Sequence, residues 1–169
     1  LELTEKNHLN VLLLDRGLDI DQRKCPSSRG FDCQHCEPCS VLSGWGGAGA
    51  YSDGKLTLST EVGGWLNQYV SHKELEALIK YADGVYLKYG ADEHVYGGDA
   101  EKVDEIERKA SLAGLRLVRQ RIRHMGTEKC AETLRRMRRE LNGKITFQPK
   151  TEVKSLITDN HTVKGVETV

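Results

Sequence analysis

Four of the five cysteines sit in one short stretch, Cys25, Cys33, Cys36 and Cys39, spaced C-x7-C-x2-C-x2-C with His35 among them. Two consecutive x2 spacings bring three thiolates toward one point, and the fourth can arrive from the loop at Cys25-Pro26. A tetrahedral S4 set of this kind suits zinc, and the same ligands suit an iron–sulfur cluster. The order differs from the bacterial ferredoxin run, which makes zinc the better match. Reduced free thiols or a redox-active pair are the alternatives; disulfides are disfavoured because the chain carries no export signal. His35 reads as a loop residue.

A second chemical signal follows directly. Ser43 to Leu56 holds Gly44, Gly46, Gly47, Gly49 and Gly54 together with Ser52, Asp53 and Lys55. Glycines at this density let the backbone take positive φ and approach another surface closely, and bare N–H groups can cradle phosphate oxygens. Gly44, Gly46 and Gly49 spell G-x-G-x-x-G, but that fingerprint has meaning only between a strand and a helix. Upstream, Cys36–Leu42 is too punctuated for a buried strand; downstream, Gly54 interrupts any helix and Lys55–Thr60 alternates as a strand does. The stretch is therefore read as a phosphate-facing loop and not as the dinucleotide turn. A better trace of a dinucleotide fold is Asn10–Gly17: four apolar residues closed by Asp15 and a glycine suit the second strand of a Rossmann unit, whose terminal carboxylate accepts hydrogen bonds from a ribose diol. The glycine turn of the first strand is then expected before residue 1.

The chain resembles the uncharacterised FAD-dependent dehydrogenases of the glutathione-reductase-like class, flavoproteins with two dinucleotide-binding domains. The resemblance rests on Val11–Gly17, on Gly44–Leu56, on Arg123-His124-Met125-Gly126-Thr127 and on the closing run Ile145–Val169. It implies an internal part of a longer α/β flavoprotein: a partial Rossmann-like FAD-binding domain formed by residues 1–59 and 142–169, a β-meander, and a mainly helical insert over residues 60–141. It implies cofactor contacts at Asp15, Arg16, Gly46, Gly47, Gly49, Ser52, Asp53, Lys55 and, through its backbone toward the adenine, Val153. Arg123 and His124 are the expected substrate-side, catalytic residues. The activity implied is an FAD-dependent oxidoreductase with hydride transfer through the flavin. The competing reading is a non-enzymatic, zinc-stabilised cysteine module whose basic helix contacts a partner.

The elements that must position these residues are legible in part. Residues 1–9 read as the end of an amphipathic helix leading into a strand over 10–15. Ser71-x-x-Glu74 is a capping box opening a helix through Leu75, Leu78, Ile79, Ala82, Val85, Tyr86 and Tyr89, closed by Gly90. Asp99 caps a second helix through Val103, Ile106 and Ala110, ending at Gly114. Leu115–Met125 fits strand or helix, and the resemblance favours strand. Thr127 is expected to cap a helix with Cys130, Leu134, Met137 and Leu141 on its apolar line and Arg135, Arg136, Arg138 and Arg139 outside. Lys144–Phe147, Thr151–Thr158 and Thr162–Val169 read as a meander turning at Asp159-Asn160.

Composition narrows the classes. The 169 residues are 30% charged and 38% hydrophobic with no net charge, and no run approaches a membrane span. A cytoplasmic protein is expected, acting on a small molecule with an electron donor. The charge is uneven: Ser71–Glu107 holds ten acids against four lysines, and Leu115–Arg139 holds nine Lys/Arg against two Glu. Two solvated faces explain this better than a nucleic-acid surface, which would need interleaved aromatics. Self-association through an open edge at Val11–Leu14 is expected.

Overall fold

The computed structural model describes residues 1–6 and 9–169. Its order is α1 (Glu2–Lys6), β1 (Val11–Asp15), β2 (Lys55–Thr57), α2 (His72–Lys88), α3 (Ala100–Leu112), β3 (Ile122–His124), α4 (Thr127–Glu140), β4 (Ile145–Pro149), β5 (Val153–Asp159) and β6 (Thr162–Thr168), with three short 3-10 turns. The protein is thus a mixed helix-and-strand chain with small sheets. It divides into two compact units, one of Leu1–Tyr51 with Leu134–Val169 and the other of Ser52–Thr133, so the division falls within α4. No described helix is long and apolar enough to cross a membrane. The expected helix end over residues 1–9 is realised as α1; its continuation through Asn7 and His8 lies outside the described residues.

The first unit is organised by β1 and β4, which pair in parallel from Val11↔Ile145 to Asp15↔Pro149. Pro149 lacks an N–H, and the ladder ends at it. The apolar line of α4 continues here as Leu134, Met137 and Leu141, all buried, with Ile20. Onto it folds the glycine loop: Trp45 Nε1–H donates to the Leu134 carbonyl at 3.1 Å, and the Trp45 ring meets Phe147 edge-on at 5.7 Å. Arg138 lies over both rings, 4.9 Å from Phe147 and 5.7 Å from Trp45, while its Nε donates to Asp19 at 2.9 Å. It is half-buried and engaged, not outside as its helical phase suggests.

The three C-terminal strands do not form one meander. β4 spends its edge on β1, Lys150 turns the chain at φ 56°, and β5 and β6 make a separate antiparallel hairpin. Its turn is one residue later than expected, at Asn160-His161, whose φ values of 44° and 63° fit a two-residue hairpin loop matched to strand twist. All seven residues of β5 are exposed.

In the second unit β2 and β3 pair antiparallel, with Lys55 opposite His124 and Leu56 opposite Arg123, and Tyr96 bridges to Ile122 on the other side. Strand structure is confined to Ile122–His124; residues 115–121 are irregular. Ser71 Oγ accepts from Glu74 N and Asp99 Oδ1 from Lys102 N, so both expected caps are present. The break expected between the two helices is present, residues 89–99 being non-helical, whereas residues 60–70, also read as part of the helical insert, contain only a 3-10 turn at Leu66–Gln68. α4 also opens differently. Thr127 is its first helical residue, and Gly126 at φ 80° precedes it, its carbonyl accepting from Cys130 N at 3.0 Å. Cys130, Met125 and Gly54 then pack together; a Cβ on Gly54 would lie 3.1 Å from the Cβ of each neighbour.

Candidate functional site

The strongest constellation in the first unit lies where β1 and β4 end. Beyond Asp15 the chain runs beside residues 150–152: Lys150 N donates to the Gly17 carbonyl and Thr151 N to the Asp15 carbonyl, both at 2.9 Å. Arg16 thereby reaches Glu152, the residue before Val153, at 3.4 Å, and on its other side Glu37 at 2.6 Å. Around them is a cavity of about 450 Å³, lined among others by Arg16, Glu37, Pro38, Lys150, Glu152 and Val169. Clefts outside the carboxyl ends of parallel strands are where open α/β sheets bind ligands, and this volume suits a nucleoside-sized molecule.

Asp15 is not among the lining residues. Its Oδ1 accepts from Gly17 N at 2.7 Å and Gly44 N at 2.8 Å, pinning the glycine loop to the end of β1. Gly17 and Gly44 are in backbone contact: a Cβ on Gly17 would fall 2.3 Å from Gly44 N, and one on Gly44, at φ 108°, 2.3 Å from the Leu18 carbonyl oxygen. A Cβ on Gly46 would lie 2.9 Å from Leu134 Cδ1. These glycines serve internal packing. Gly47 and Gly49 face open space, within a 3-10 turn over Gly47–Tyr51 and not at the start of an α-helix.

Arg23 holds this loop. It is buried, and its guanidinium donates to the carbonyls of Ser40 at 3.0 Å, Val41 at 2.9 Å and Trp45 at 2.5 Å while lying over the Tyr51 ring. Burial pulls its pKa below the ordinary arginine value, opposed by Tyr51, Asp15 and Cys39; burial likewise pushes the Tyr51 phenol up. No pattern in the sequence distinguishes Arg23 from a solvent-facing arginine, because its acceptors are carbonyls of residues 17–22 positions on.

The cysteines are not assembled into a metal centre. All four are free thiols, Cys33 and Cys36 exposed and Cys25 and Cys39 half-buried. Among the described residues no three His, Cys, Asp or Glu side chains form a metal-holding group. The x2 spacings make convergence sterically available, yet the intervening Glu37 turns to Arg16, and His35 takes φ 48°.

In the second unit the β2–β3 pairing unites residues from two distant motifs. Asp53 Oδ2 lies 2.8 Å from Lys55 Nζ and 3.9 Å from His124 Nε2. The Lys55 hydrogen bond holds the Asp53 carboxyl below its usual range. Tyr96 stands beside His124, ring centres 6.4 Å apart, and His94 meets Tyr96 edge-on at 4.5 Å. Ser52 Oγ accepts from Gly54 N, closing the turn before β2. Arg123, by contrast, is buried: Nε and Nη2 donate to the two carboxylate oxygens of Asp83 at 2.6 and 2.8 Å, and Nη1 donates to the Asp92 carbonyl. The Asp83 hydrogen bonds raise its pKa. Its visible contacts tie β3 to α2.

The expected site residues thus fall into two sets: Asp15, Arg16, Gly46, Gly47, Gly49 and Val153 in the first unit, and Ser52, Asp53, Lys55, Arg123 and His124 in the second. Comparison by sequence finds no matching protein-family profile and no matching curated protein.

Proposed function

We propose that the chain is part of an FAD-dependent oxidoreductase and that its first unit is a Rossmann-like element receiving the adenosine half of the cofactor. The observation that carries this reading is the meeting of Arg16 with Lys150 and Glu152 around one cavity at the ends of two parallel strands, 134 or more residues apart in sequence. The resemblance implies a ribose contact at Asp15 and an adenine contact through the backbone of Val153, and the segment after Asp15 runs beside the one that leads into Val153.

In this reading the Arg16 guanidinium lies along the face of the purine, a cation–π contact strengthened where water is excluded. Lys150 supplies positive charge to a phosphate oxygen. Asp15, which does not line the cavity, acts by fixing the Gly17–Gly44 contact beside it, and the ribose contact that the resemblance implies would require its second carboxylate oxygen to turn toward the cavity. Gly47 and Gly49 are the loop positions with room for a ligand beside the backbone. When bound, FAD supplies the hydride chemistry through its flavin ring. In the second unit Asp53 and Lys55 would line the phosphate or flavin side, with His124 beside them on the substrate side. Zinc or an iron–sulfur cluster would require Cys25, Cys33, Cys36 and Cys39 to converge from their present positions, and no observation favours the zinc-module reading.

Flavin fluorescence polarisation tests the assignment. ADP is expected to compete with FAD, riboflavin and FMN are expected not to, and Arg16→Ala weakens FAD and ADP alike by about 5- to 30-fold. Equal affinity for FMN and FAD, or an Arg16→Ala variant that binds ADP as tightly as the wild type, contradicts it.

A further inference from the structure

A second cavity, of about 350 Å³, lies within the unit Ser52–Thr133. Its apolar wall is made by Leu56 of β2, Leu75 and Ile79 of α2, and Val62 and Leu66 of the segment between them. The space is open to solvent past Val62 and Leu66 and is large enough for a small organic molecule. It is built from two regular elements of the unit, β2 and α2, together with the segment between them, and not from a loop alone.

The chemistry of the lining is selective. It contains no charged residue and no aromatic ring. Its polar component is a row of hydroxyl residues, Thr57, Ser59 and Thr60. The Ser59 hydroxyl accepts from Glu61 N at 3.2 Å, and Thr60 Oγ1 lies 3.0 Å from His72 Nε2, so the hydroxyl edge is held from the chain side and from the start of α2. An ion entering such a space would lose part of its hydration with no charged residue among the lining to offset it, which disfavours carboxylates and phosphates. Water alone would face a mostly apolar wall.

The roof is the part able to yield. Gly63 and Gly64 take φ of 120° and 124° with nothing within 4 Å of a Cβ on either, and Val62 and Leu66 on the two sides of this pair are exposed at 40% and 47%. Apolar side chains that line a cavity and still reach solvent gain burial when the space beneath them is filled. Trp65, between Gly64 and Leu66, is 77% exposed and reports on that segment.

We infer that this cavity, framed by Leu56, Leu75, Ile79 and the Val62–Leu66 roof with hydroxyls on one edge, is a binding site for a small, neutral, predominantly apolar molecule bearing one or two hydroxyl or carbonyl oxygens. The site stands independently of the nucleotide reading of the first unit, since none of its residues belongs to that unit.

The test is a titration of the whole 15N-labelled chain with 1-indanone, a neutral ring ketone, and with indane-1-carboxylate, its charged analogue of similar shape. The ketone is expected to give saturable shifts at residues 56–66 and 75–79, with a Kd on the order of 0.1–1 mM for so small a probe. The carboxylate is expected to bind at least about tenfold more weakly. Ile79→Trp fills the cavity, and the shifts vanish while the far-ultraviolet dichroism stays unchanged. Shifts that fail to saturate by about 10 mM, shifts centred elsewhere, or equal binding of the carboxylate overturn the proposal. If Ile79→Trp does not fold, the wild-type shift map and the ketone-to-carboxylate ratio still decide it.

Discussion

Each unit buries one arginine among the described residues, Arg23 in the first and Arg123 in the second, and the two are held by opposite means. Arg123 faces a carboxylate, Asp83, in a two-pronged ion pair that raises its pKa. Arg23 donates to carbonyls and lies over a phenol ring without a carboxylate hydrogen-bond partner among the described residues, and burial lowers its pKa against the opposing pull of Tyr51, Asp15 and Cys39. A paired arginine joins two regular elements, β3 and α2, and both partners can be replaced together. An arginine among carbonyls fixes the path of an irregular loop, here Ser40–Trp45, which has no ladder of its own. The unit proposed to bind the nucleotide is thus the one in which a single arginine spans the loop carbonyls, alongside the Asp15 and Trp45 anchors.

The largest effect is expected from Arg23→Met. It leaves the carbonyls of Ser40, Val41 and Trp45 buried without donors and destabilises the first unit by roughly 3–5 kcal/mol, read as a fall in urea midpoint. Arg23→Lys recovers less than half, because one ammonium cannot span acceptors placed around a planar fork. An Arg23→Lys variant as stable as the wild type removes the distinction between the arginines.

Asp83→Asn comes next. It strands a buried guanidinium and is expected to cost about 3 kcal/mol, whereas the double variant Asp83→Leu/Arg123→Met returns to within about 1 kcal/mol of the wild type. The comparison is sharpened if no partner change restores Arg23→Met in the same way.

Glycine substitutions give a smaller, graded contrast inside the first unit. Gly17→Ala drives a Cβ into Gly44 N and is expected to cost about 2–3 kcal/mol. Gly49→Ala meets open space, and stability is expected to stay within about 0.5 kcal/mol while nucleotide affinity drops if the loop faces a ligand. Equal stability losses at the two positions would show that both glycines serve packing.

The smallest effects concern thiols. Cys33 and Cys36, exposed in the first unit, should react with an alkylating reagent well before buried Cys130 of the second, whose thiol is pushed up by burial with a further push from Asp53. With the folded pKa raised above the unfolded value of about 8.5, the unfolded chain releases its proton first. The contribution of Cys130 is therefore fully present below that pH and is lost as pH rises through the folded pKa. Cys130→Ala should flatten the alkaline limb of stability, and labelling of Cys130 as fast as Cys33 would contradict its burial.

What could be read in the sequence was local. The caps at Ser71 and Asp99 and the buried line Cys130, Leu134, Met137 and Leu141 follow from i, i+3 and i, i+4 relations inside one helix. The strands β1 and β4 announce themselves, but their pairing does not, since 134 residues separate Val11 from Ile145. Glycine density marks close approach, and what approaches at Gly17 and Gly44 is the other backbone. Arg23, Arg123 and Arg138 carry no mark of burial in their neighbours, and each found acceptors far along the chain. The cysteine spacing shows that a cluster is sterically available without showing that Glu37 would turn away to Arg16.

The central claim, that the cavity at the ends of β1 and β4 receives an adenine nucleotide, is tested most directly by following the 15N spectrum of the chain during titration with ADP. The account predicts saturable shifts at Arg16, Gly17, Leu18, Lys150 and Glu152 with a Kd on the order of 10–500 μM, and their loss in Arg16→Ala. No saturable response at these residues, or one confined to residues 52–133, would contradict it.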